Sequence, residues 1–409
     1  MFLVVLPEKA EKIIDTLNRS GYEAYAVGGC VRDLISGKEP DDYDITTNAL
    51  PDEIKKVFHD CKTIDTGIKH GTVTVIADGF YTEVTTYRID GEYKDSRRPE
   101  NVTFSKNLKD DLSRRDFTIN AIAYNKTDGL KDCFGGVSDI KEKIIRCVGS
   151  PEKRFNEDAL RILRAVRFAS VLGYTVEKNT SEAIHNYAHL LENISKERIY
   201  VEIKKLICGE NAENVLKEYR DVIKIIFPGL AYISDEDYNT AAKMAATAEG
   251  DAVFRLAALM YFLPPDGASD MMRSLKCDKA AAMRVGNSLS ALPVVPDSEI
   301  NALKCLYFTG DGVIFDYLAL KILYFKSIGD TGNAEIFSEQ LETVKKAVLS
   351  KKPYKISQLG IKGSDLAENN IAKGSDIGKT LEALLFAVIE GKVPNTRDGL
   401  LKYVEKNER

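Results

Sequence analysis

The chain has 409 residues, of which 44% are hydrophobic and 29% charged, a composition typical of a folded globular protein and not of a disordered one. This length allows two to four domains, and no apolar run is long enough to span a bilayer, so we expect no membrane association. The formal net charge of −5 does not indicate a nucleic-acid binder. However, residues 94–167 carry 17 Lys and Arg against 12 Asp and Glu. Such a basic patch can hold a phosphate backbone, or it can be an ordinary solvated surface.

The first part of the chain shows a mixture of helical and strand patterns. We expect helices over residues 8–19 and 30–37, and strands over residues 22–27, 43–46, 71–77 and 81–88. An Asp-Gly pair at 78–79 predicts a tight turn between the last two strands. After Gly135-Gly136, and especially from about residue 151 onward, helical periodicity dominates. Breaks are expected at Gly209, 227–229, 263–265 and 351–353.

The seven cysteines are scattered along the chain, with no close pair. This spacing argues against a zinc knuckle and against a disulfide framework. It favours a reducing compartment, and we therefore expect a cytoplasmic location.

A paired-glycine turn precedes the most suggestive acidic motif. Gly28-Gly29 lets the backbone approach a phosphate, and the helix that follows presents its N-terminus to the negative charge. Arg32 can add a bidentate contact to a triphosphate or a ribose. A lone glycine pair is more often a simple turn. The order of glycine turn, arginine and acidic motif makes the phosphate-binding interpretation stronger.

The acidic motif is Asp42-Tyr43-Asp44, in a predicted strand. Side chains two residues apart on a strand point to the same face, so both carboxylates can reach one site. Magnesium prefers such oxygen ligands, and a pair of these ions can activate a hydroxyl and stabilise leaving pyrophosphate. Surface turns also produce this motif often, so taken alone it leaves a structural role open.

Residues 156–169 predict an amphipathic helix with an unusual polar face. At 100° per residue the apolar side chains occupy one half, and the other half carries Asp158, Arg161, Arg164 and Arg167. One interpretation is a basic solvated face. The other is base recognition, because a carboxylate accepts from an exocyclic amine and a guanidinium donates to an acceptor nitrogen or carbonyl. Such a pair accepts CTP and ATP, and mispairs with GTP and UTP.

Six stretches together resemble, in order, the blocks of the nucleotidyltransferase family that contains class II tRNA CCA-adding enzymes and bacterial poly(A) polymerases. They are GGCVRDLISGKEPDDYDITT (28–47), GIKHGTVTV (67–75), EVTTYR (83–88), RRDFTINAIAYN (114–125), DCFGG (132–136) and RFNEDALRILRAVRFA (154–169). The resemblance is close over residues 20–170 and weaker near the C-terminus, where Ser375 stands in place of the family's usual proline.

The resemblance implies an α+β fold, in which a small mixed β-sheet head is followed by an all-helical neck, body and tail. The corresponding ranges are 1–137 for the catalytic head, 138–205 for the neck, 206–350 for the body and 351–409 for the tail. The neck is expected to select the base, and the body and tail are expected to bind the acceptor and TΨC arm of tRNA by shape and phosphate contacts. CTP and ATP are the implied substrates, and no obligate protein partner is predicted.

The resemblance also assigns site residues. Asp42 and Asp44 are expected to hold two Mg²⁺ ions, with Glu83 as a possible third carboxylate or a structural strand residue. Asp158 and Arg161 are expected to select the base. The other expected nucleotide contacts are Gly29, Arg32, Arg115, Arg164 and Arg167. Asp116 either orients Arg115 or caps a helix.

Besides full CCA addition, the sequence leaves three alternative functions open: an A-adding enzyme, a poly(A) polymerase and a non-catalytic RNA-binding protein. The loop at 92–101 resembles one that assists the change from cytidine to adenosine addition, which favours a full CCA or an A-adding activity over one that adds only cytidine. An A-adding enzyme would work beside a CC-adding partner. A bacterial poly(A) polymerase usually has a more basic C-terminal extension. A non-catalytic RNA-binding protein would not need the intact Asp42 and Asp44.

Overall fold

A computed structural model describes residues 4–91 and 102–407, and the loop at 92–101 lies outside the described residues. The chain divides into two compact units, residues 1–228 and 229–409. This boundary falls at the predicted break of 227–229, where a helix ends before Pro228. The finer division into head, neck, body and tail stays a prediction.

The strands of the described residues lie in the first unit. In chain order they are β1 Ala24–Val27, β2 Ile45–Thr47, β3 Lys62–Gly67, β4 Thr72–Ala77, β5 Phe80–Thr86, β6 Arg88–Asp90, β7 Val102–Phe104, β8 Ile122–Asn125, β9 Gly129–Asp132, β10 Ile144–Ile145 and β11 Thr175–Val176.

Seven of these strands form one mixed sheet in the order β3-β4-β5-β2-β1-β8-β9. Strands β2 and β5 are parallel, with Ile45 opposite Val84, and the other neighbouring pairs are antiparallel. β6 and β7 form a separate antiparallel pair, and β10 and β11 a short parallel pair within the otherwise helical residues 138–205. The predicted mixed sheet is confirmed.

Helices make up most of the remaining structure. The first unit contains α1 Glu8–Arg19, α2 Gly29–Ile35, α3 Pro51–Val57, α4 Leu108–Ser113, α5 Gly136–Glu142, α6 Pro151–Glu157, α7 Leu160–Leu172, α8 Lys178–Tyr187, α9 Lys196–Ile207, α10 Ala212–Glu218 and α11 Arg220–Ile226.

The second unit is helical throughout its described part. Its helices are α12 Asp235–Thr247, α13 Ala252–Leu259, α14 Pro265–Ser274, α15 Lys279–Leu289, α16 Glu299–Thr309, α17 Asp311–Ser327, α18 Thr331–Leu349, α19 Gly363–Glu368, α20 Asp376–Ile389 and α21 Arg397–Asn407. Aliphatic side chains of α16, α17, α18 and α20 form much of one core cluster. Within residues 4–91 and 102–407, none of the helices combines the length and hydrophobicity that crossing a membrane requires.

Two local predictions near the site were wrong. Asp42 and Asp44 precede β2, which begins only at Ile45. The predicted continuous helix over 156–169 is interrupted at Asp158, whose backbone is extended (φ −142°, ψ 102°). The Asp158 side chain accepts a hydrogen bond from the backbone N–H of Leu160 at 3.1 Å. It therefore helps to start α7 instead of continuing α6, as acidic residues at helix beginnings often do.

The DCFGG motif holds α5 against the segment that carries Thr118. The Asp132 carboxylate accepts backbone hydrogen bonds from Phe134, Gly136 and Val137 at 2.9–3.2 Å. A Cβ added at Gly136 would lie 2.1 Å from the carbonyl oxygen of Thr118, which is an impossible distance. The glycine is therefore required for this close approach of two backbones.

We expect Gly136→Ala to lower the free energy of unfolding by about 3 kcal/mol or more, because backbone atoms must move to admit the methyl group. Gly312→Ala in α17 is the control, since its added Cβ meets no atom within 4 Å. It should be neutral or stabilise by up to about 1 kcal/mol. Urea unfolding followed by circular dichroism measures both. Equal stability of the two variants would contradict the assigned packing.

Candidate active site

Two of the predicted carboxylates, Asp44 and Glu83, precede the point where β2 and β5 pair. The backbone N–H of Val27 donates to the carbonyl of Asp44 at 3.0 Å, which continues the β1–β2 ladder and fixes this residue. Ile45 is opposite Val84 in the parallel pair, so the preceding residues Asp44 and Glu83 are also neighbours. Asp42, Asp44 and Glu83 are all exposed residues. The structure thus places Asp44 next to Glu83, and Asp42 is near enough to act electrostatically on Asp44.

The electrostatics of this acidic group favour a bound cation. The pKa of Asp44 is raised to about 6, and the largest cause is partial removal from water, although part of its surface is exposed. The negative charges of Asp42 and Glu83 contribute to this rise, and the positive charge of Arg115 opposes it. Closely placed carboxylate oxygens that repel one another suit a hard divalent cation. Among the described residues, no group of three or more His, Cys, Asp or Glu side chains is arranged to hold a metal ion, so a cation here would need ligands from water or substrate as well.

The glycine turn places Arg115 beside the acids. Gly28 has a φ of 85°, and a Cβ added there would lie 3.0 Å from Nη1 of Arg115. Gly29 begins α2 and leaves similar space beside Arg32. The lack of a side chain at Gly28 therefore lets the Arg115 guanidinium pack against the turn, where its charge also acts on Asp44.

A fully buried carboxylate, Asp111, forms an ion pair with Arg115. It accepts from Nη2 of Arg115 at 3.1 Å, from Arg114 at 2.7 and 2.9 Å, and from the Thr46 hydroxyl at 3.1 Å. Burial alone would raise the pKa of Asp111, but the two arginines outweigh it and the net pKa is lowered. Asp111 is ionised at neutral pH and holds Arg115 in place. Sequence reasoning missed this residue.

Arg32 is buried and already bound within the protein. It forms a bidentate pair with Asp33 at 2.8 and 2.9 Å, and Nη1 donates to Oδ1 of Asn120 at 2.7 Å. Its guanidinium also lies 5.2 Å from the centroid of the Phe168 ring. The predicted nucleotide contact is not tested by this arrangement, but Arg32 clearly also joins α2 to the neighbouring elements.

Asp116 orients an arginine of α7. Its Oδ2 accepts from Nε of Arg164 at 2.8 Å, and its Oδ1 accepts from the Asn120 side chain at 3.0 Å. Burial raises the pKa of Asp116, but Arg164, Asn120 and Arg161 together hold it far below its usual range. No hydrogen bond joins Asp116 to Arg115 among the described residues. The expectation that Asp116 orients Arg115 is therefore replaced by an interaction with Arg164.

Three arginines surround the buried Phe168 ring. The guanidinium carbons of Arg32, Arg164 and Arg167 lie 5.2, 5.4 and 3.9 Å from its centroid. Glu202 of α9 pairs with Arg167 at 2.5 Å and approaches Arg164 at 3.7 Å. Arg161 and Arg167 are each only 9% exposed. The alternative of a basic solvated face on α7 is therefore wrong.

The predicted base-selecting pair lies at the junction of α6 and α7. The Asp158 carboxylate accepts hydrogen bonds from both Nη atoms of Arg198, a residue of α9, at 3.3 and 2.7 Å. Arg161 donates to Glu157 at 2.7 Å and to the carbonyl of Arg114 at 3.1 Å. The segment 114–116 thus connects the two parts of the site. Arg115 faces the acids, and the backbone of Arg114 and the side chain of Asp116 face α7.

Sequence reasoning missed the supporting residues Asn120, Arg198 and Glu202. A signal existed for Glu202, because Ile199, Ile203 and Leu206 follow helical spacing and place this acid on their buried face. A charge on an apolar helix face indicates a buried partner. No comparable signal marked Arg198, which occupies an ordinary position for a partly exposed charge.

Comparison with known families covers most of the chain. Residues 24–146 match the family described as the Poly A polymerase head domain. Residues 173–233 match the one described as a probable RNA and SrmB-binding site of polymerase A, and residues 250–404 match tRNA nucleotidyltransferase domain 2.

Individual relatives match over nearly their whole length. The CCA-adding enzyme of Leuconostoc citreum is 38% identical over 418 residues, which cover 99% of this chain and 98% of that protein. The CCA-adding enzyme of Lactobacillus helveticus is 36% identical over 408 residues, covering 97% and 96%. The solved structure of the Bacillus stearothermophilus CCA-adding enzyme in complex with CTP has a TM-score of 0.82 and 33% identity, covering 99% of this chain and 98% of that one.

We expect Asp116→Asn to destabilise the protein by about 3 kcal/mol at pH 7, because it leaves buried arginines without their partner. The folded-state pKa of Asp116 lies below its ordinary value of 3.8, so its contribution is fully present above pH 3.8 and is lost as pH falls through the folded-state value. The stability gap between wild type and variant should therefore narrow in acid.

Urea unfolding at pH 7 and at pH 3 measures this gap. Asp60→Asn is the control, since the Asp60 side chain is 86% exposed and its loss should cost at most about 0.5 kcal/mol. A gap of the same size at both pH values would show that the carboxylate charge of Asp116 is not what stabilises the network.

Proposed function

Because this chain belongs to the CCA-adding enzymes of the tRNA nucleotidyltransferase family, we propose that it completes and repairs the 3′-terminal CCA of tRNA. It adds CMP and AMP from CTP and ATP, releases pyrophosphate and uses no nucleic-acid template. The family expected from the sequence motifs is confirmed by the full-length relatives. The observation that carries the proposal concerns segment 114–116: Arg115 lies against the glycine turn and acts electrostatically on Asp44, while Arg114 and Asp116 contact arginines of α7.

The family depends on a divalent metal, and we propose that Asp42 and Asp44 hold two Mg²⁺ ions, with Glu83 as the candidate third carboxylate. When bound, the metal supplies activation of the attacking 3′-hydroxyl and neutralisation of the leaving pyrophosphate. The fit rests on the raised pKa of Asp44, which comes first from partial removal from water and then from the negative charges of Asp42 and Glu83.

The chain's own residues position the triphosphate beside these acids. Gly28 and Gly29 leave the backbone open at the start of α2, and Arg115 lies directly against that turn. We propose that Arg115 and the Gly29 backbone bind phosphate oxygens. Arg32 helps to hold the turn, through Asp33 and Asn120. Catalysis is then mostly positioning and charge neutralisation for an in-line attack of the tRNA 3′-hydroxyl on the α-phosphate.

Base selection is assigned to Asp158 and Arg161 at the α6–α7 junction. The Asp158 carboxylate accepts the exocyclic amine of cytosine or adenine, and Arg161 donates to the adjacent ring nitrogen. Arg164 and Arg167 keep the neighbouring surface of α7 in place through Asp116 and Glu202. Uracil and guanine present a carbonyl and an N–H in these positions, so both protein groups would face the wrong partner.

We further propose that the helical parts of the chain bind the acceptor and TΨC arm of tRNA. The local excess of positive charge in residues 94–167 can contribute phosphate contacts. A cytoplasmic location follows from the substrate and is supported by the seven cysteines, all of which are unpaired thiols.

The function is tested with tRNA transcripts that end before CCA, after C, or after CC, incubated with Mg²⁺ and labelled CTP, ATP or both. We expect all three to be completed to CCA, with no longer products, at single-nucleotide resolution. Adenosine addition only to the CC-ended transcript would identify an A-adding enzyme instead. Long adenosine tails would identify a poly(A) polymerase, and no incorporation would favour an RNA-binding protein.

We expect Asp44→Asn to reduce incorporation by about a thousandfold, because the metal-binding charge is lost. Asp41→Asn is a matched control, since Asp41 is an exposed acid in the same segment but outside the motif. It should retain nearly wild-type activity. Incorporation rates at saturating Mg²⁺ measure both variants, and wild-type activity of Asp44→Asn would overturn the assigned metal site.

A further inference from the structure

Helix α9 presents opposite charges to the α6–α7 junction one helical turn apart. Arg198 faces Asp158, and Glu202 faces Arg167 and, at a longer distance, Arg164. The positive charge of Arg198 on α9 therefore pairs with the acid at the junction, and the negative charge of Glu202 pairs with the arginines of α7. The buried side of the same helix, with Ile199, Ile203 and Leu206, fixes its position. The complementarity makes α9 a rigid support for the selecting residues.

Arg198 and Asp158 form a bidentate pair, in which the guanidinium donates to both carboxylate oxygens. Nη1 donates to Oδ1 at 3.3 Å and Nη2 donates to Oδ2 at 2.7 Å. The Leu160 N–H also donates to Oδ1 at 3.1 Å. The two side chains are 25% and 15% exposed, so the pair is partly shielded from water. A two-point contact of this kind fixes the plane of the carboxylate.

The number of acceptor positions left on Asp158 matches its proposed task. An ionised carboxylate offers about four acceptor positions. Arg198 and the Leu160 N–H use three of them among the described residues, with two on Oδ1 and one on Oδ2. One position on Oδ2 remains, which is what a single exocyclic amine hydrogen needs.

We propose that Arg198 is a specificity-determining positioning residue, which aims the free acceptor of Asp158 at the exocyclic amine of the incoming base. This inference rests on the proposed function, in which Asp158 contacts the base. Without Arg198 the carboxylate can rotate, and the contact with cytosine weakens. Uracil gains nothing from a well-aimed acceptor, so its incorporation depends much less on Arg198. Removing Arg198 should therefore lower kcat/KM for CTP more than kcat/KM for UTP, so that discrimination between the two nucleotides decreases.

The test compares kcat/KM for CTP and UTP on a tRNA transcript that ends before CCA. We expect Arg198→Met to reduce the CTP-to-UTP ratio by about 10- to 100-fold, the range of one good base contact. Arg198→Lys should recover part of the ratio, because an ammonium can still hold one oxygen. A purely structural role would lower both values equally and leave the ratio unchanged, which would overturn the inference.

Arg146→Met is the matched control, since Arg146 also pairs with carboxylates in the same unit but faces Asp139 and Glu177. It should keep the wild-type ratio. In an Asp158→Ala background, Arg198→Met should change the ratio no further, and an additional loss there would contradict the assigned route. If wild type incorporates neither nucleotide, the proposed function fails. If wild type selects CTP and Arg198→Met selects it equally well, only this inference fails.

Discussion

The organisation of the site depends on the burial of arginines against one aromatic ring. Phe168 lies at the centre, with Arg32, Arg164 and Arg167 around it. A buried guanidinium is tolerated only when its charge is matched, and each of these arginines has a carboxylate partner. The partners come from different elements, so the network sets the relative positions of α2, segment 114–120, α7 and α9. The geometry of the reaction site follows from these pairings.

The same network explains why segment 114–120 contains so many polar residues. Asn120 accepts from Arg32 and donates to Asp116, which accepts from Arg164. Interactions that share partners in this way reinforce one another in a low-dielectric interior. A change at one member therefore reaches the others, even though each pairwise contact is short-ranged. The network therefore connects the proposed phosphate-binding side with the proposed base-selecting side within the first unit.

The sequence predicted the mixed sheet, the helical remainder and the family, because periodicity and motif order carry that information. It also predicted that Asp42 and Asp44 share one site, with Glu83 as a third carboxylate or a structural strand residue. The register of β2 against β5 places Glu83 next to Asp44, and the assignment of the site stays a prediction. It could not predict that α6 ends before Asp158, since a single capping interaction overrides an otherwise continuous helical pattern. Arg198 and Asp111 also escaped prediction, because their partners are 40 and up to 65 residues away in sequence.

The pairing of the arginines has a consequence for the order in which the site is loaded. Arg32, Arg115, Arg161, Arg164 and Arg167 each already have a carboxylate partner. The group of Asp42, Asp44 and Glu83 therefore leaves a negative local field before any substrate arrives. A bare triphosphate, itself highly anionic, is repelled by such a field. If the chain binds CTP and ATP as proposed, a nucleotide whose phosphates are already screened by a cation would meet less repulsion at this site than a bare triphosphate.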